Sequence, residues 1–127
     1  MKNVTTALAI TLMLAGAAHA ELPSATEAVV SRALQSGKPS VIDLGARTCI
    51  PCKKMAPILE SLSSEYRNKA TVLFIDVHEN SAAASKFRIQ MIPTQVFFNA
   101  QGKEVKRHVG FMDKAEIVKE LKAAGLK

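Results

Sequence analysis

The sequence has no tryptophan, one tyrosine and five phenylalanines in 127 residues, so aromatics make up only 5%. A core must therefore be built almost wholly from aliphatic side chains. With only two cysteines, a small scaffold stapled by a disulfide framework is excluded. No segment repeats at a fixed period, which excludes a solenoid. What is present suits one globular domain: 48% of residues are apolar, too many for a disordered chain, and the length is that of a single domain. The formal net charge of +6 raises nucleic acid as a partner until the N-terminus is read.

Residues 1–20, MKNVTTALAITLMLAGAAHA, carry one charge, at Lys2. An apolar stretch from Ala7 to Ala18 follows, and then the small-residue pattern Ala18-His19-Ala20. This is the layout of a secretory signal peptide cleaved after Ala20. The alternative is an uncleaved membrane anchor. Against it, the apolar run is short of the roughly 20 residues a spanning helix needs, and Thr5, Thr6 and Thr11 dilute it. No cysteine near the cleavage point offers a lipid attachment. The expected organisation is a signal peptide over 1–20 and one domain over 21–127, exported and periplasmic. Loss of Lys2 leaves that domain at net +5. An exported protein rarely meets nucleic acid, so none is expected as a partner, and the excess charge reads as a solubility charge.

Along the domain, Ser24 and Glu27 form a capping-box pattern that opens a helix with Val29, Val30, Ala33 and Leu34 on one face, ended by Gly37 and Pro39. Ser40 to Ala46 is short and nearly all apolar, as in a strand buried on both faces, with Asp43 inside it. Cys49 to about Tyr66 is a long helix with Met55, Ile58, Leu59 and Leu62 on one face, and Pro57 should kink it. Ala70 to Val77 is a second buried strand. Asn80 caps a short helix to about Phe87. Pro93 to Phe98 and Lys103 to Val109 are two strands joined by a turn at Asn99-Ala100-Gln101-Gly102. Asp113 and Glu116 form a second capping box before a last helix. The alternating front half requires parallel crossovers and the back half is a hairpin. The expected fold class is α/β, a central mixed sheet flanked by helices on both faces.

The two cysteines sit three apart, in Cys49-Ile50-Pro51-Cys52, where a strand gives way to a helix. Unpaired amides and the positive end of the helix dipole stabilise a thiolate at Cys49, with Arg47, Lys53 and Lys54 adding positive charge. Cys52, one turn in, would be more buried and placed to attack the first sulfur. Pro51 occupies a first-turn position where no amide is needed. A stapling disulfide is the bland alternative, but closing so short a loop stabilises by only about 2 kcal/mol, against nearly 5 for a loop of about 100 residues. Metal binding is another, but a structural zinc site wants four ligands. Neither His78 nor His108 lies at ligand spacing to the pair, so no metal and no cofactor are expected. Redox chemistry is the favoured reading.

The run from Val41 to Pro57, VIDLGARTCIPCKKMAP, resembles the strand, redox motif and kinked helix of the thioredoxin family. Ile92-Pro93-Thr94 resembles the family's cis-proline loop, and Gly110 also matches. The resemblance covers about residues 38–124 and is weakest over the first helix. It implies a thioredoxin fold and a thiol–disulfide oxidoreductase. By it, Cys49 is the attacking thiolate, Cys52 the resolving thiol, and the two form the redox-active disulfide. Asp43 is the buried carboxylate that takes or relays the proton of Cys52. A lone Asp among Val, Ile and Leu should have a raised pKa, although an Asp paired with a lysine and chemically inert is the competing reading. Ile92 and Pro93 would bind substrate, the cis bond exposing the Ile92 backbone to an incoming strand.

The sequence departs from the family pattern at four places. Thr48 and Gly45 stand where the family has tryptophans, Ile50 where it has glycine between the cysteines, and Phe74 where it has a lysine near the buried Asp. Loss of that cation should raise Asp43 further. Pro51, Ile92 and the buried Asp resemble the reductants of the family, whereas the oxidants have His before the second cysteine and a large insertion. The expected function is exported protein-disulfide reduction, acting as a monomer on disulfide-containing proteins, with electrons from a membrane dithiol donor. Alternatives are a disulfide oxidant, a dedicated reductant in cytochrome c maturation, and a non-catalytic binding module on the same fold.

Overall fold

Among the described residues, four helices and four strands follow one another in the order that the hydrophobic periodicity sets out. They are α1 (Glu27–Leu34), β1 (Ser40–Gly45), α2 (Ile50–Glu65), β2 (Thr71–Asp76), α3 (Ser81–Lys86), β3 (Thr94–Phe98), β4 (Glu104–Val109) and α4 (Lys114–Ala123). The structure, a computed structural model, describes residues 20–127. The signal peptide expected over 1–20 therefore lies, apart from Ala20, outside the described residues.

The sheet order is β2-β1-β3-β4. β1 runs parallel to β2, as a crossover through α2 requires, and antiparallel to β3, which pairs antiparallel with β4. Each residue of β1 is buried, because helices cover both faces of the sheet. Val41, Phe97, Met55, Leu59, Ile117 and Leu121 form the core under α2 and α4. Ile42, Leu44, Ile75 and Val96 form the core of the opposite face with Val30 and Ala83 of α1 and α3. β4 is an exposed edge, and Glu104, Lys106 and Arg107 along it deter pairing with another chain.

The helix signals are local, and most act as their chemistry dictates. Asp113 and Glu116 form a reciprocal capping box at α4, and the Asn80 side chain caps α3. α2 continues through Pro57. The expected capping box at Ser24 and Glu27 is not formed. Thr26 caps α1 instead, because Ser24 is drawn away to β2. Its hydroxyl accepts from the Asp76 amide at 2.9 Å, and a bridge links Ser24 to Phe74, where the Ala25 amide donates to the carbonyl at 2.7 Å. α1 ends at Leu34, just before Gly37, which adopts φ +74°.

Candidate active site

β1 delivers the chain to one end of the sheet, and the turn at Ala46–Thr48 leads into α2. Cys49 is the N-cap of that helix. Its sulfur accepts from the Cys52 amide at 3.4 Å. The sulfur thus sits where the first-turn amides and the helix dipole favour negative charge. Cys49 and Cys52 are joined as a disulfide, with Cα atoms 5.1 Å apart. Cys49 is half-exposed, whereas Cys52 is 5% exposed. The two sulfurs are therefore unequal: one is open to a partner and the other is shielded.

Behind Cys52 lies Asp43, fully buried in the middle of β1. Both border the space above Gly45. A Cβ at residue 45 would stand 3.1 Å from Cys52 Sγ and 3.5 Å from Asp43 Oδ2. Burial pushes the Asp43 carboxyl up to about 6, partly opposed by a hydrogen bond from Gln95. Gln95 is not among the expected site residues; the sequence offers Asp43 no obvious cationic partner, with a lysine pair as the competing reading. Gln95 Nε2 donates to Asp43 Oδ1 at 2.8 Å, because Asp43 and Gln95 are direct partners in the β1–β3 register. The available signal was a Gln interrupting the apolar stretch Thr94–Phe98, but its partner could be named only once the strands were paired. On the other side, Phe74 faces Asp43 in the β1–β2 register, so the position where the family has lysine brings no charge.

Arg47 does not serve as free positive charge beside Cys49. Its guanidinium donates to Glu21 at 2.9 Å and to the Leu22 carbonyl at 3.1 Å, approaches Glu79 at 3.8 Å, and lies 5.0 Å from the centre of the Phe74 ring. Together these residues close a cavity of about 20 Å³, lined by Glu21, Leu22, Arg47, Leu59 and Phe74, with Cys52 in its wall. Lys53 and Lys54 are exposed.

The Ile92–Pro93 peptide bond is cis. Thr94 is paired with Leu44, so Pro93 lies at the end of the sheet from which the loop to Cys49 departs. The Pro93 carbonyl accepts from the Gly110 amide at 2.8 Å, which fixes the start of β3 against the end of β4. Large apolar side chains are exposed on these elements and loops: Ile50, which opens α2, at 70%, Met91 at 66% and Phe111 at 45%. His78 and His108 lie apart from the cysteines in sequence and element, and among the described residues no group of three His, Cys, Asp or Glu side chains forms a metal cluster.

Comparison with known proteins gives one family. The thioredoxin family profile matches residues 22–123. A thioredoxin of Alicyclobacillus acidocaldarius is 36% identical over 96 residues, covering 76% of this chain and 90% of that one. A bifunctional thioredoxin reductase/thioredoxin of Mycobacterium leprae is 43% identical over 88 residues; these cover 69% of this chain but only 19% of that longer protein. The solved structure of chloroplastic thioredoxin z superposes with a TM-score of 0.70 at 27% identity, covering 83% of this chain and 95% of that one.

Proposed function

The chain belongs to the thioredoxin family and is a thiol–disulfide oxidoreductase, and on that premise we propose that it works outside the cytoplasm as a reductant of protein disulfides. The observation that carries the reading is the inequality of the two sulfurs: Cys49 half-exposed at a helix N-terminus, and Cys52 buried beside a carboxylate whose pKa is raised to about 6. In the reduced enzyme the Cys49 thiolate attacks a substrate disulfide. A mixed disulfide forms and one substrate thiolate leaves. Cys52 then attacks Cys49 Sγ, its proton passes to Asp43, and the second substrate thiolate leaves. Two electrons have moved from the dithiol to the substrate. Ile92 and Pro93, with Ile50, Met91 and Phe111 around them, form the surface that receives the substrate segment.

The reducing direction is supported by Pro51 before Cys52, by Ile92 before Pro93 and by the buried carboxylate, each a feature of the family's reductants. Export is supported by the composition of residues 1–20. A reductant in an oxidising compartment needs a supply of electrons, and a membrane dithiol protein is the donor class that fits. The protein acts as a monomer.

Two measurements test this. The equilibrium constant with glutathione should give a reduction potential near those of the reducing thioredoxins, about −270 mV, and far from an oxidant's roughly −120 mV; a value at the latter end overturns the direction. Cys52→Ser should trap mixed disulfides with substrate proteins and Cys49→Ser should trap none. Trapping by Cys49→Ser alone would reverse the roles.

A further inference from the structure

Gln95 is an expensive residue for its position. It is fully buried, and its Oε1 has no hydrogen-bond partner among the described residues. A leucine or methionine would fill the same space and bring no unsatisfied polar atom of its own. Its Nε2 is spent on Asp43 Oδ1 at 2.8 Å. Asp43 Oδ2, also buried and also without a partner, borders with Cys52 Sγ the space above Gly45. One carboxylate oxygen is therefore held and the other is left toward the resolving sulfur.

We propose that Gln95 is a positioning residue for the resolving step, holding Asp43 Oδ1 in both protonation states and leaving Oδ2 to exchange a proton with Cys52. This extends, and depends on, the reading of Asp43 as the proton acceptor. The chemistry of a carboxamide makes it possible. Toward the ionised carboxylate, Nε2 donates. Once Oδ2 carries the proton, Oδ1 remains a carbonyl acceptor and Nε2 keeps donating to it. A lysine in reach of Asp43 would hold it ionised, and a leucine would hold it neutral. Gln95 does neither, so the carboxyl can cycle. During resolution the Cys52 S–H proton moves to Asp43, the sulfur bonds to Cys49 Sγ, and the substrate sulfur leaves with the electron pair.

Few other groups titrate around this pair. The row across the sheet reads Phe74, Asp43, Gln95, His108 on β2, β1, β3 and β4. His108 is half-exposed, one strand beyond Gln95, and its Nε2 lies 3.1 Å from the Phe111 carbonyl. Above the row, α2 supplies Cys52, and α4 supplies only apolar side chains to this core, Ile117 and Leu121.

The test is stopped-flow reaction of the reduced full-length protein with an aromatic disulfide such as dithiobis(nitrobenzoate). The first thiolate released reports attack by Cys49, and the second reports resolution by Cys52. In the wild type the second phase should show an acid limb near pH 6. Gln95→Leu and Gln95→Met should move that limb up by about one pH unit, slowing the second phase about five-fold at pH 6, with the first phase unchanged. The ¹³C carboxyl titration of Asp43 in the oxidised protein should move up likewise, a readout that a merely structural residue would not shift. Asp43→Asn separates the two ideas. If the limb survives in Asp43→Asn, the carboxyl is not the acceptor and the underlying reading fails. If Asp43→Asn removes the limb while both Gln95 variants leave it and the carboxyl titration in place, Asp43 stands and the role of Gln95 is refuted.

Discussion

A carboxyl buried without a cation is a standing penalty at neutral pH, and its sign follows from where its pKa lies in each state. Asp43 titrates at about 6 in the folded chain against an ordinary 3.8. Its pKa is raised on folding, so the folded state is favoured most below the unfolded value. That advantage is lost as pH rises from about 3.8 toward 6 and stays lost above it. The gap corresponds to about 3 kcal/mol. Asp43→Asn should therefore stabilise the oxidised protein at pH 8, by up to that amount less whatever Gln95 loses, and should change little at pH 4. Urea unfolding at the two pH values measures it. A variant less stable than wild type at pH 8 would mean that the carboxylate is a structural anchor. Asp76 shows the opposite case a few residues from the same sheet end. Burial raises it, but the amides of Arg47, His78 and Glu79 and the charge of His78 outweigh that and hold it below the ordinary carboxylate range. Two buried aspartates on adjacent strands thus differ because one faces backbone donors and the other a single neutral side chain.

Secondary structure was legible wherever its cause is local. Capping at Asn80 and Asp113, the mostly apolar β1 and β2, and the hairpin turn each depend on residues within a few positions of one another. What could not be read depends on strand pairing. Ser24 meets Asp76 and Gln95 meets Asp43, each across 52 positions, so one capping box dissolved and one site residue went unseen. Gly102, in the hairpin, joins the two kinds of cause. It adopts φ +75°, and a Cβ there would stand 2.5 Å from the Leu34 carbonyl oxygen at the end of α1. Gly37 has φ +74° with no atom within 4 Å of such a Cβ. Gly37→Ala should lose only the conformational share, about 1–2 kcal/mol. Gly102→Ala should lose more, because α1 and the hairpin must move apart. Urea midpoints of the two variants test the comparison. Equal losses would mean that the hairpin is free to shift away from α1 at no cost.

At the scale of the whole chain, Glu21 and the residues just after it are tied into the domain. Arg47 holds Glu21 and the Leu22 carbonyl, Leu22 packs against the core, Ser24 takes the Asp76 amide, and Ala25 donates to the Phe74 carbonyl. Cleavage after Ala20 would leave all of these intact, whereas removal of even two further residues would open the cavity beside Cys52. The A-x-A pattern at Ala18-His19-Ala20 falls immediately before Glu21, which Arg47 holds. Among the described residues no helix is long and apolar enough to cross a membrane. We expect protein recovered from a Gram-negative host to begin at Glu21 and to be released by osmotic shock. Ala20→Leu should impair processing and keep the chain with the membrane. Recovery of wild type from the membrane fraction with Met1 or Lys2 at its N-terminus would make residues 1–20 an anchor. In that case the same contacts of Glu21 and Leu22 would hold the redox centre close to the bilayer surface, and the substrates would be those that reach it there.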